Sequence, residues 1–77
     1  MLFRSSQLKT GDRGIIVAVE QDDTEFLRYL VRIGLVLEAE IEILETEEYD
    51  GSRLVRIGRH KRTVTEKVGQ KLLVRKV

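Results

Sequence analysis

Cysteine and proline are absent from this chain, histidine occurs once, and the aromatics amount to two Phe and two Tyr. Without cysteine there is no disulfide, and with a single histidine there is no thiolate or imidazole set for structural zinc, so both usual staples of a small domain are excluded. No apolar run nears the roughly 18 residues needed to span a membrane, and the N-terminus lacks the pattern of a signal peptide. The missing cysteine fits a reducing compartment, so the expected location is the cytoplasm. At 77 residues there is room for one domain, which buries only roughly 60% of the surface its unfolded chain exposes. A core that thin leaves little space for an elaborate catalytic cavity. Stability has to come from sheet closure and packing.

What is present is charge, unevenly spread. Residues 37–51 hold seven acids (Glu38, Glu40, Glu42, Glu45, Glu47, Glu48 and Asp50) and no base, whereas residues 52–77 hold nine bases against Glu66 alone. The simplest expectation is an acidic strand beside basic neighbours, each facing pair contributing roughly 0.2–1 kcal/mol. The alternative is a small basic-faced nucleic-acid-binding β-barrel. The aromatics argue against it, because none is interleaved with the bases as a stacking platform needs.

The pattern along the chain is mainly β. Gly11 and Gly14 bracket a tight turn, and a strand over 15–20 follows, apolar on both faces and so expected to be buried on both. Asp22, Asp23 and Thr24 supply N-cap chemistry for a helix whose stripe is Phe26, Leu27, Leu30, Val31 and Ile33, ended by Gly34. Strict alternation over 39–43 sets Ile41 and Ile43 inward, and Leu44 breaks it, as a bulge or an exit from the core would. Asp50-Gly51 predicts a two-residue type I′ hairpin into a strand over 54–57. A turn at 58–60, a strand over 62–64, one turn of helix capped by Thr65, and a strand over 72–74 complete the chain. The expected core is Val17, Leu30, Ile41, Ile43, Val55, Ile57 and Val74. Residues 1–7 fit no period and are expected to be a leader or frayed terminus, with Leu2 or Phe3 able to patch the core, and 8–77 the domain. Five short strands with one inserted helix predict a small SH3-like β-barrel.

Leu8, Gly11, Gly14, Ile16, Val19, Leu27, Leu30, Ile33-Gly34-Leu35, Glu40-Ile41-Glu42-Ile43, Leu72 and Val74, in this order and spacing, resemble the FeoA (ferrous iron transport protein A) domain family over nearly the whole chain. The resemblance implies a cytoplasmic, non-catalytic SH3-like interaction domain in bacterial ferrous-iron and transition-metal handling. Its partner would be the membrane iron transporter FeoB, or the adjacent domain if the chain is the C-terminal domain of a DtxR-type metal-dependent repressor. Where the family usually has Pro-Gly, this chain has Leu37-Glu38, so that turn is expected to be rebuilt.

Chemistry-bearing residues are few. His60 sits in a basic turn with no neighbouring carboxylate or nucleophile, and the glycines precede a strand without the Lys-Ser/Thr pair of a phosphate loop, so no enzyme is expected. Glu20, Gln21, Asp22 and Asp23 offer hard oxygen ligands at a strand-to-helix junction. In the repressors this chain resembles, a carboxylate and an amide from about this loop complete a metal site built mostly by another domain. Helix capping explains the same residues more simply, and they are too few for tight transition-metal binding. The expectation is thus no tightly bound cofactor, with Fe2+ or Mn2+ held weakly or shared with another domain. Tyr29 and Tyr49 are amphipathic anchors suited to a partner-binding rim.

Overall fold

A computed structural model describes residues 2–20 and 23–77. Its elements in chain order are β1 (Leu2–Arg4), a 3-10 turn (Ser5–Gln7), β2 (Arg13–Val19), α1 (Thr24–Ile33), β3 (Glu40–Thr46), β4 (Arg53–Ile57), β5 (His60–Val64), α2 (Glu66–Gly69) and β6 (Leu72–Lys76). Among the described residues the strands form one antiparallel sheet of six in the order β1-β6-β2-β3-β4-β5. The count exceeds the expected five because Leu2–Arg4 is paired rather than frayed, Phe3 standing opposite Val74. Three residues are too few to show a period, and β6 supplies the partner.

One face of the sheet builds the core. Ile16, Ile41, Ile43, Val55, Ile57, Val64, Leu72 and Val74 are buried with Leu8, Leu30 and Leu35. Val17 is not among them: it is 36% exposed, at the register shift between Ile16 and Ala18 in the β2–β6 ladder. A bulge leaves one residue unpaired and turns the chain. β2 is thus buried on one face only, its flanking Ile15 half-exposed. Gly14 lies within this strand rather than in the turn. A Cβ there would approach Val74 Cβ and Arg75 O at 3.3 Å, so its role is close passage of β6.

Leu44 is a bulge as expected, the β3–β4 register shifting between Ile43 and Glu45. The hairpin that follows is not a two-residue type I′ turn. The Glu47 N–H donates to Ser52 O and the Gly51 N–H to Glu47 O, closing a four-residue loop in which Gly51 alone has positive φ, at 74°. Type I′ needs positive φ at both central residues, and Asp50 instead accepts from the Ser52 N–H at 2.9 Å.

α1 begins where Asp23 accepts from the Glu25 N–H at 2.9 Å. It ends at Gly34, with φ 89°, while the Leu35 N–H reaches back to Leu30 O, a Schellman closure that delivers Leu35 to the core. The turn expected to be rebuilt around Leu37-Glu38 holds a left-handed residue. The Ala39 N–H donates to Val36 O, the Glu38 N–H to Ile16 O at 2.7 Å, and Glu38 adopts φ 71°. The positive φ that a type II turn demands is met by a residue poorly suited to it.

Among the described residues no ladder joins β1 to β5, the two ends of the sheet order. Side chains bridge that side instead. The Arg53 guanidinium donates to Ser6 O, Leu8 O and Gly51 O, and buried Ser5 Oγ donates to Gly69 O at 2.8 Å, tying the 3-10 turn to both β4 and α2.

Candidate functional site

The junction between β2 and α1 was expected to offer oxygen ligands. Gln21 and Asp22 lie outside the described residues, and the other two carboxylates have partners in the chain. Glu20 pairs with Arg4 at 2.6 Å, both side chains well exposed, and Asp23 is occupied in capping α1. Among the described residues no three His, Cys, Asp or Glu side chains group as metal ligands would. Glu20 and Asp23 are two of the four expected oxygen donors, and each is already engaged within the chain. His60 opens β5, exposed, opposite Ile57.

Four of the nine bases of the C-terminal third have partners among the described residues, each a different one. Arg53 serves carbonyls, Arg56 reaches Glu42 at 3.3 Å, Lys76 reaches Asp12 at 3.4 Å, and Lys71 lies 5.3 Å from the centre of the Phe26 ring. The Glu42–Arg56 pair is the expected acidic-to-basic strand contact. On the far side Arg56 faces Lys61, a like-charged pair across the β4–β5 ladder. Two carboxyls are held below their usual range. The Lys9 N–H donates to Asp12, with Lys76 adding its charge, and the Ser52 N–H does the same for Asp50.

The two tyrosines stand on different elements. Tyr29 is half-exposed on α1, whereas Tyr49 is 96% exposed in the β3–β4 loop, where its N–H donates to Glu47 Oε1. Helical geometry sets Tyr29 on the side of α1 away from Leu27 and Val31.

A surface that sequence reasoning did not single out lies on that other side. Val19, Leu27, Leu30, Val31, Leu35, Val36 and Leu37 line an open groove of about 390 Å³. Leu30 and Leu35 are its buried floor, and Val31 and Leu37 are 65% and 59% exposed. Leu27 and Val31 belong to the apolar stripe of the helix but not to the expected core. The core takes Leu30 fully and Phe26 and Ile33 in part, and the stripe is wider than that contact. That excess width was the available signal: five apolar positions cover more of a ten-residue helix than one sheet face can hide. Contiguous exposed aliphatics beside a floor of buried ones are characteristic of an interaction surface.

No curated protein matches the chain. Among solved structures, an iron uptake regulatory protein (FeoA) crystal structure superposes with a TM-score of 0.91 at 26% identity, covering 100% of both chains. A FeoA protein from Chlorobium tepidum gives 0.84 at 23% identity, over 97% of this chain and 70% of that one. A manganese-dependent transcriptional repressor gives 0.90 at 22% identity, this chain spanning 99% of itself and 42% of the repressor. These last two likenesses show the fold. The FeoA domain family model matches residues 6–76, and the chain therefore belongs to the FeoA domain family.

Proposed function

We propose that this chain is a non-catalytic, SH3-like interaction module of bacterial ferrous-iron and transition-metal handling, working in the cytoplasm by binding another protein. The family match over residues 6–76 carries this reading. The α1 groove supports it by offering a docking surface. The module's partner is the cytosolic part of a ferrous-iron membrane transporter, or the neighbouring domain of a metal-dependent repressor. The chain holds no metal tightly; Fe2+ or Mn2+ binds its junction residues weakly or in a site shared with another domain.

Deleting the coding sequence in the native host tests the reading. Uptake of radiolabelled ferrous iron, or metal-dependent expression of iron-regulated genes, is expected to fall and to recover when the chain is supplied again. If both are unchanged, the assignment to metal handling fails.

A further inference from the structure

Taken with the interaction-module reading, on which this inference rests, the walls of the α1 groove specify the chemistry of the segment it accepts. Leu27 and Val31 stand one turn apart on one wall and Val36 and Leu37 form the other, over the floor of Val19, Leu30 and Leu35. A floored concavity suits bulky side chains projecting from a polypeptide, which a bilayer surface does not provide. At 100° per residue, Arg28 and Arg32 fall directly beyond Leu27 and Val31, on the side turned away from the core. Both are exposed, and neither enters an ion pair among the described residues. Glu25 is the one acid on α1.

Two arginines one turn apart match carboxylates at i and i+4 of a facing helix, where neighbouring positions are also about 5–6 Å apart. We infer that the α1 groove takes an amphipathic helix from a partner protein, with Leu- or Phe-sized anchors on one face and Asp or Glu at i and i+4 alongside them.

The test uses the full chain as bait for a displayed library of randomised, roughly 18-residue helical peptides, counter-selected on the Val31→Asp and Leu37→Asp variants. Both positions are exposed, so these variants keep the fold, which circular dichroism checks. Recovered peptides are expected to show apolar spacing of i, i+3/i+4 and i+7 with flanking acids, and to lose at least about tenfold in affinity on the double variant Arg28→Glu, Arg32→Glu. Peptides lacking acids, peptides whose binding survives Val31→Asp, or no enrichment at all would overturn the inference. So would co-sedimentation with phosphatidylglycerol vesicles, or concentration-dependent self-association, that Val31→Asp abolishes: the occupant would then be a lipid surface or a second copy. A metal-handling phenotype that persists in a Val31→Asp strain would remove the groove and leave the interaction-module reading standing.

Discussion

At the scale of single residues, Glu38 shows how a local rule is broken and kept at once. The turn it occupies is tied down by its own N–H on Ile16 O and by the Ala39 N–H on Val36 O, so the backbone keeps φ 71° although the side chain disfavours it. Left-handed backbone costs a non-glycine residue about 1 kcal/mol or more, part of which glycine returns as unfolded-state entropy. Glu38→Gly is therefore expected to raise stability by roughly 0.5–1 kcal/mol in urea denaturation, and Glu38→Ala to leave it nearly unchanged. A lower midpoint for the glycine variant would mean that the carboxylate contributes something the geometry does not reveal. Asp12 and Asp50 predict a pH response. Their pKa values are depressed in the folded chain, by the Lys9 and Ser52 amides first, so near pH 4 the unfolded chain binds more protons than the folded one. Their stabilisation is complete above the unfolded pKa and declines as pH falls through the folded values. The denaturant midpoint should drop between pH 5 and pH 3, about the range of the carboxylate pKa. Asp12→Asn combined with Asp50→Asn should flatten that slope.

At the scale of elements, legibility followed the range over which each element is determined. The N-cap at Asp23, the Gly34 stop, the Leu44 bulge and the Thr65 cap of α2 are decided within four or five residues and could be read from the chain. The β3–β4 loop was half legible. Asp50-Gly51 does mark the turn and Gly51 does take positive φ, but whether two or four residues are looped out depends on which pair closes the ladder, and Glu47 closes it with Ser52. Gly51 is constrained twice, since a Cβ there would collide with the Glu66 side chain at the start of α2. Gly51→Val should cost about 1–3 kcal/mol, from positive φ and the collision together. Adding Glu66→Ala should restore only the part due to collision. Full recovery in that double variant would show that the φ requirement was never limiting. The exposed half of α1 escaped reading for another reason: an apolar stripe signals burial, and whether a sheet or a partner provides it is not a property of the helix.

At the scale of the whole molecule, the question is what holds the two ends of the sheet order together when no ladder does. β1 was illegible because its pairing to β6 joins residues at opposite ends of the chain, and Arg53 was illegible because its three acceptors are all main-chain carbonyls, which no side-chain pattern announces. Ser6 and Leu8 lie just after β1, and Gly51 lies just before β4. One guanidinium thus joins the N-terminal segment to the β3–β4 hairpin across more than half the chain. Arg53 is only half-exposed, so losing it strips three carbonyls of a charged donor where water replaces it incompletely. Arg53→Met, which keeps the aliphatic stem, is expected to cost about 2–4 kcal/mol. Arg53→Lys should recover little, because an ammonium cannot span the same fork of acceptors. The diagnostic is where protection is lost. In hydrogen exchange the β1 amide of Phe3 should open well before those of Ile41 and Ile43, because the variant releases the N-terminal segment while the β2–β3–β4 ladders persist. Uniform loss of protection across all six strands would instead mean that Arg53 stabilises the core directly, and that Ser5 on Gly69 is enough to hold the N-terminal segment in place.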